Sequence, residues 1–455
     1  MNEPHIHDVG PSVGPDARME DEAFGFSRSR IRQSLSETRR VRPNLQEQYN
    51  SDEGSRRLYR YHRRDIESGM DRGRMYNALP QMRESIMRQL GGAGSLLYPG
   101  QRTRGGYSNL SEYYSNSADV DFAKYHKHVG SSIQIKHWQL RDLVRCPFQR
   151  DDVFVVKGFA IYRYDISKQK VVDRHGFLFE PTCFGFGESF LGVAGEMSEY
   201  AVQHVSPLIQ SIGLPTEMSL QHYGSLRTGS HVNNAIKITN DLDGRLSAYL
   251  CNNSGHLMVM NGVDQEGEMV VSESSSIFCP VSINHCAVAE HERTLVYVGD
   301  SDEVFVCRPS PTGYQHCCTF KEASDAGMSC DWSSNGTSFA VASQDGLVCV
   351  WDRRQRKSVA RLSCQSAARC VKFSPNPLDL IAFTEHRNYL HLVDCRMWSN
   401  RQVIKVRDEL VQEVDICGFD FSPCGSTLYI GTEDCIDILQ INTGSRTSFP
   451  YTKLA

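Results

Sequence analysis

Residues 1–123 of this 455-residue chain contain no cysteine and no lysine. The same residues carry 18 Arg against 17 Asp plus Glu, with many Ser, Gly and Tyr and few aliphatic side chains. Such a composition offers little apolar surface to offset the entropy lost on ordering. We therefore predict a mostly disordered tail over residues 1–128, followed by a folded domain over residues 129–455.

The chain also lacks long apolar runs, and no apolar signal segment lies near its first residue. No run approaches the roughly 18 apolar residues of a membrane-spanning helix, so we expect no membrane partner. All 16 cysteines lie between Cys146 and Cys435, mostly within apolar runs. Without a secretory context, we expect reduced thiols that pack as small hydrophobic side chains in a cytoplasmic or nuclear protein.

Motifs for catalysis and for metal binding are also missing. The sequence has no Walker-type phosphate loop and no His-Glu-x-x-His. Cys317 and Cys318, with His316 beside them, do not have the Cys-x-x-Cys spacing of a zinc site. Six of the 16 histidines are spread over different candidate blades, and the sequence alone does not bring them together: His137, His204, His222, His231, His256 and His285. We predict a protein that is not an enzyme and has no cofactor, no metal and no small-molecule substrate.

The charge of the folded region argues against a nucleic-acid partner. Residues 124–455 hold 31 basic and 37 acidic side chains, a net charge of −6 with histidine neutral, which is opposite to a phosphate-binding surface. One local exception is basic: Arg353, Arg354, Arg356, Lys357 and Arg361. This run is either a solvated turn with an outer strand or a docking patch for an acidic partner.

The stretch Gly327 to Arg354 has the order of one β-propeller blade. A half-buried strand ends at Trp332, a turn follows, a strand with small residues spans Phe339 to Ala342, and a Gln-Asp-Gly turn leads into Leu347 to Trp351. Asp before Gly suits a tight turn, because Asp bonds its own backbone and Gly accepts positive φ. Small residues fit near the crowded centre of a propeller, whereas β-branched and aromatic residues fill the space between blades.

A lone blade cannot bury both of its faces, so this interpretation requires repeats at a spacing of about 40 to 50 residues. Stretches of the same order are present at Ala368 to Asp394, Ile416 to Ile441, Val281 to Cys307 and Asn233 to Met260, and fainter ones at Val153 to Tyr164 and Cys183 to Val202. We predict an all-β, seven-bladed propeller, with six or eight blades as alternatives. The segment Ser132 to Leu140 either pairs with the last blade or begins the first.

The Trp351-Asp352 end of the best blade resembles WD-repeat proteins, which bind proteins through the faces of a rigid propeller. HWQLRDLV (137–144), VNNAIKI, CNNSG and GFDFSPCGSTLYIGTED (418–434) together resemble a family of fungal and plant WD-repeat proteins. That family includes a substrate receptor of the glucose-induced degradation ubiquitin ligase. The resemblance implies a receptor that binds degradation substrates and ligase scaffold subunits. The Gly-His pair that commonly precedes such a blade is absent from Glu322 to Met328.

A second resemblance lies in the last four residues of that stretch. Trp351, Asp352 and Arg354 match the Trp-Asp-x-Arg box of WD-repeat receptors for cullin-four ligases. An Arg fork beside an Asp can present bidentate donors to an adaptor. We therefore name Trp351, Asp352, Arg353, Arg354 and Arg356 as candidate docking residues. A general scaffold in signalling or transcription, with no role in degradation, is the alternative.

One part of the predicted tail has a helical pattern. From Leu79, Pro80 suits a first helical turn, and Gly91 suits a helix end. Four apolar residues fall on one side between them: Met82, Ile86, Met87 and Leu90. This segment is too short to be a stable isolated helix, so it is either a docking helix for a partner groove or a transient helix in a linker.

Overall fold

A computed structural model gives the structure of the protein. It describes residue 116 and residues 121–447, except 138–140, 189, 206–220, 226–230, 241–245, 266–267, 290–291, 312, 365 and 408–412. The tail segment proposed as a docking helix, with Met82, Ile86, Met87 and Leu90, lies outside the described residues.

Within these ranges the chain forms 28 β-strands. The first fourteen are β1 Ala123–Gly130, β2 Val144–Arg145, β3 Asp152–Lys157, β4 Ala160–Asp165, β5 Lys170–Gly176, β6 Pro181–Phe186, β7 Phe190–Gly195, β8 Glu199–His204, β9 Gln221–Ser225, β10 Asn233–Asn240, β11 Leu246–Asn252, β12 His256–Gln265, β13 Glu268–Phe278 and β14 Ile283–Val288.

The other fourteen follow in the same repeating order. They are β15 Leu295–Gly299, β16 Glu303–Ser310, β17 Gly313–Lys321, β18 Gly327–Trp332, β19 Ser338–Ser343, β20 Leu347–Asp352, β21 Ala360–Ser363, β22 Ala368–Phe373, β23 Leu380–Glu385, β24 Tyr389–Asp394, β25 Met397–Lys405, β26 Ile416–Phe421, β27 Thr427–Thr432 and β28 Cys435–Ile441, and a short helix α1 spans Thr443–Thr447.

These strands make seven four-stranded antiparallel sheets, the blades of a propeller. Blade 1 holds β2 to β5, blade 2 β6 to β9, blade 3 β10 to β13, blade 4 β14 to β17, blade 5 β18 to β21, blade 6 β22 to β25, and blade 7 β26 to β28 with β1. The prediction of a seven-bladed propeller is therefore confirmed, and the faint stretches Val153 to Tyr164 and Cys183 to Val202 lie in blades 1 and 2.

The ring closes with the strand nearest to the N-terminus. β1 pairs antiparallel with β28, from Ala123 opposite Ile441 to Gly130 opposite Cys435, and becomes the outer strand of blade 7. The closing strand thus precedes Ser132 to Leu140, the segment considered for this role, and it crosses the boundary proposed between residues 128 and 129. The N–H of Ile133 continues the contact with blade 7 by donating to the carbonyl of Glu433 at 3.1 Å.

Blade 5 illustrates why these residues form these strands. The predicted strands correspond to β18, β19 and β20, and the outer strand β21 completes the blade. At the turn between β19 and β20, Gly346 has a φ of +79°, and a Cβ there would lie 2.7 Å from the carbonyl oxygen of Cys364. Glycine alone combines this conformation with this close approach.

In the part of the chain that the structure describes, no helix is long and apolar enough to cross a membrane.

Candidate docking surface

Trp351 is a core side chain of blade 5. It is 1% exposed and stacks on Phe339, with ring centroids 5.3 Å apart. Its indole N–H has no hydrogen-bond partner among the described residues. Trp351 therefore contributes packing to blade 5 and does not form part of a contact surface.

Asp352 and Arg354 form a fork in the turn that follows β20. Arg354 donates from Nε to Oδ1 of Asp352 at 2.9 Å and from Nη2 to Oδ2 at 2.6 Å. The side chain of Arg354 is 75% exposed, whereas that of Asp352 is 14% exposed. The hydrogen bonds from the Arg354 side chain, followed by the one from its backbone N–H, lower the pKa of Asp352 to about 2. Asp352 is therefore charged at neutral pH and fixes the orientation of the exposed guanidinium.

The other two predicted docking residues have different partners. Arg353 forms an ion pair with Glu292, which lies in the turn between β14 and β15 of blade 4. Arg356 lies 6.0 Å from the ring centroid of Phe320, on the outer strand of blade 4. The structure thus directs the basic run of blade 5 towards its neighbour, blade 4.

These residues border a groove between blades 4 and 5 with a volume of about 570 Å³. Blade 5 supplies Trp332, Phe339, Arg353 and Arg354, and blade 4 supplies Glu292, Thr294, Val306, Arg308, Pro309, Cys317, Cys318 and Phe320. We call this feature the 4–5 groove. The sequence singled out blade 5 but did not predict Arg308 or the other blade 4 residues, because nothing in a sequence tells which side chains of two blades face each other.

The HWQLRDLV segment has a structural role at the centre of the ring. Asp142 accepts hydrogen bonds from Arg145 and lies 3.0 Å from Nζ of Lys372 on β22 and 3.4 Å from Nε2 of His285 on β14. Lys372 also lies 3.0 Å from Asp420 on β26. Burial alone would raise the pKa of Asp142, but the charges of Arg145 and Lys372 hold it well below its usual value.

This segment packs directly on the first strand of blade 7. The N–H of Leu143 donates to the carbonyl of Cys417 at 3.0 Å. A Cβ at Gly418 would lie 2.8 Å from the backbone nitrogen of Leu143, and Gly418 has a φ of +147°. The described residues of two of the stretches that carry the family resemblance thus contact each other at the channel.

The asparagines of the other two stretches connect neighbouring blades. Nδ2 of Asn234 donates to the carbonyl of Ile283 in blade 4 at 2.8 Å and to Oδ1 of Asn253 at 2.7 Å. Nδ2 of Asn233 donates to the carbonyl of Glu199 in blade 2 at 2.8 Å. All three asparagines are buried. They satisfy backbone groups inside the propeller and do not form a surface that binds partners.

Three of the histidines that the sequence analysis named lie in different parts of the propeller. His285 faces the central channel, whereas His204 lies at the end of β8 and His256 begins β12 near Phe278. All 16 cysteines are free thiols and twelve of them are buried. No group of three or more His, Cys, Asp or Glu side chains in the described ranges is arranged to hold a metal ion.

Comparisons with known proteins add relatives but no activity. A family model described as an uncharacterised protein domain (DUF2415) matches residues 366–405, which correspond to blade 6. The uncharacterized protein C4G3.03 of Schizosaccharomyces pombe is 26% identical over 339 residues, which cover 70% of this chain and 91% of that protein. The uncharacterized protein YLR149C of Saccharomyces cerevisiae is 24% identical over 225 residues, which cover 41% of this chain and 30% of that protein.

Proposed function

We propose that this propeller is a protein-binding subunit without enzymatic activity, and that it acts as a substrate receptor of a ubiquitin ligase. The observation that carries the protein-binding proposal is the exposed Asp352–Arg354 fork at the edge of the 4–5 groove. The ligase part of the proposal is supported by the resemblance of the HWQLRDLV, asparagine and GFDFSPCG stretches to the family that includes a receptor of the glucose-induced degradation ligase.

The fork favours a docking role over a purely structural one. Asp352 uses Nε and Nη2 of Arg354, and no described residue accepts a hydrogen bond from Nη1. The guanidinium is therefore held in place before binding, with one edge left for an acceptor on a partner. Holding it in advance reduces the side-chain entropy that binding would otherwise cost.

Two ligase classes fit this geometry in different ways. In the glucose-induced degradation class, the propeller would hold a degradation substrate and dock on scaffold subunits, and this is the leading proposal. In the cullin-four class, the Trp-Asp-x-Arg box would contact the adaptor through Arg354. The two differ in which ligase subunits accompany the wild-type protein, so one purification separates them.

The test is affinity purification of the full chain followed by mass spectrometry, with the wild type, Arg354→Ala and the matched control Arg361→Ala. Arg361 lies on β21 of the same blade and is paired with Glu322 at 3.3 Å, outside the 4–5 groove. We expect the wild type and the control to recover ligase subunits equally. In the cullin-four class, where the fork contacts the adaptor, Arg354→Ala should recover about fivefold less adaptor.

Failure would take two forms. Equal recovery with Arg354→Ala would reject docking through the fork. If the wild type recovers no ligase subunit and deletion of the gene leaves proteome turnover unchanged, the receptor proposal is wrong, and a general protein-binding scaffold takes its place.

A further inference from the structure

We infer that the 4–5 groove binds an extended acidic peptide segment that inserts an apolar side chain between the two blades. This inference rests on the proposed protein-binding function and names the class of segment that the groove accepts. It brings in recognition residues from blade 4 that neither sequence motif includes.

The charges around the groove are unbalanced in favour of arginine. Arg353 is paired with Glu292, and Arg354 is paired with Asp352. Arg308, which lines the groove, and Arg356, above Phe320, have no ion-pair partner among the described residues. Both are exposed, and they sit on a region of the chain with a net charge of −6 over residues 124–455. A local positive surface on an acidic domain attracts an acidic segment and not a long polyanion.

The floor of the groove is apolar. Val306, Phe320 and Trp332 line it, and Phe339 lies between the two aromatic side chains, 5.3 Å from the ring centroid of Phe320 and 5.2 Å from that of Trp332. Its volume of about 570 Å³ is within the range of about 300–1,000 Å³ that is usual for ligand pockets. One apolar anchor surrounded by charge-assisted hydrogen bonds is a usual composition for a peptide site.

The groove also contains a built-in reporter. The register of β16 with β17 shifts so that Val306 lies opposite Cys318 and Cys307 opposite His316. Cys317 is therefore the extra residue of a β-bulge, and both adjacent thiols line the same groove. Cys317 is exposed, and the other exposed cysteine, Cys424, lies in the turn between β26 and β27 of blade 7. Cys424 is thus an internal control for solvent-accessible thiols outside the groove.

The test measures alkylation of Cys317 and Cys424 by N-ethylmaleimide in the purified full chain, using peptide mass spectrometry. The probe is the peptide Glu-Asp-Phe-Asp-Glu, and the comparison peptides are Gln-Asn-Phe-Asn-Gln, without charge, and Glu-Asp-Ala-Asp-Glu, without the anchor. We expect the acidic probe with phenylalanine to slow alkylation of Cys317 at least fivefold at saturation and to leave Cys424 unchanged. Each comparison peptide should need a several-fold higher concentration for the same protection.

Charge reversal of Arg308 tests the inference through the protein. Arg308→Glu should weaken the acidic probe about tenfold and allow Lys-Arg-Phe-Arg-Lys to protect Cys317 instead, because attraction becomes repulsion. The control Arg361→Glu lies on β21 of the same blade and outside the groove, so it should not change the protection of Cys317 by either peptide. Melting temperatures of both variants within about 2 °C of that of the wild type would show that the reversal leaves the fold intact.

Three results would overturn the inference. Equal protection of Cys317 and Cys424 would mean non-specific shielding. Unchanged binding of the acidic probe by Arg308→Glu would remove the charge recognition. Stronger protection of Cys317 by a thymidine hexanucleotide than by the acidic probe would make the groove a phosphate site. None of these measurements involves a ligase subunit, so the proposed ligase function and this inference can fail independently.

Discussion

The charge cluster in the central channel should contribute more to stability than the pair that forms the docking fork, although both join an aspartate to an arginine. Asp142 interacts with Arg145, Lys372 and His285, and the side chains of Asp142 and Lys372 are 18% and 13% exposed. Replacing Asp142 with Asn keeps the shape of the side chain but removes the carboxylate. Arg145 would then be left without its partner in a largely buried site.

The expected cost follows from this burial. Removing one partner of a buried ion pair costs about 3–5 kcal/mol, and we take the lower end because these side chains retain some exposure. With an unfolding entropy of about 2.1 cal/mol/K per residue, a loss of about 3 kcal/mol lowers the melting temperature of a domain spanning residues 121–447 by about 4 °C. Asp352→Asn, which breaks the exposed pair with Arg354, should lower it by less than about 1 °C.

The assay is thermal unfolding of both variants at pH 7, followed by circular dichroism and calorimetry. Asp142 has a lowered pKa in the folded state, so its contribution is fully present above its unfolded pKa of about 3.9 and is lost as the pH falls below that value. The difference between the wild type and Asp142→Asn should therefore be constant from pH 5 to pH 8. The double variant Asp142→Asn with Arg145→Met should recover part of the loss, because it also removes the guanidinium that has lost its partner.

Equal melting temperatures for Asp142→Asn and Asp352→Asn would refute the reasoning. So would a double variant that is less stable than the sum of its single changes predicts. Equal melting temperatures would mean that water reaches the channel and screens the cluster like a surface pair. A loss greater than additive would mean that the two replaced side chains do not stabilise each other.

Two further predictions concern other positions of the propeller. Gly418→Ala should lower the melting temperature by several degrees, because the new Cβ would lie 2.8 Å from the nitrogen of Leu143 at a φ of +147°; a variant that melts like the wild type would show that residues 141–143 can shift. Burial, and then the charge of Arg401, lowers the pKa of His391 to about 4, so stability should fall as the pH drops from about 6.5 to about 4, by up to roughly 3 kcal/mol. The free energy of unfolding from urea titrations should depend less on pH in His391→Gln than in the wild type over this range. An equal pH dependence in the two proteins would assign the loss of stability to other groups.

The closing strand shows why part of the fold could not be predicted. The residues of β1, AKYHKHVG, are mostly exposed, and only Ala123 and Val129 are buried. A strand of this kind has no apolar alternation to reveal it, because it is ordered by backbone hydrogen bonds to β28 at the outer edge of blade 7. The outer strand β5 is similar, with a single buried residue, His175. The inner strands were predictable because burial fixes their composition.

The candidate site divides in the same way. The fork of Asp352 and Arg354 lies within three consecutive residues, and a sequence pattern can contain it. The 4–5 groove also needs Arg308, Cys317 and Phe320, which are brought to blade 5 only when two blades pack together. Both thiols line the groove because of a bulge in the pairing register of β16 with β17. The two adjacent cysteines in the sequence do not reveal that register.

The sequence by itself determined the propeller fold and predicted seven blades, with six or eight as alternatives, because turn residues, small inner residues and bulky interblade residues recur in short consecutive stretches such as Gly327 to Arg354. The tertiary structure alone decided the ring closure through β1, the channel cluster of Asp142, His285, Lys372 and Asp420, and the groove between blades 4 and 5. The reason is physical: strand formation depends on neighbours in the chain, whereas these features depend on how whole blades rotate and pack against residues far away in the sequence.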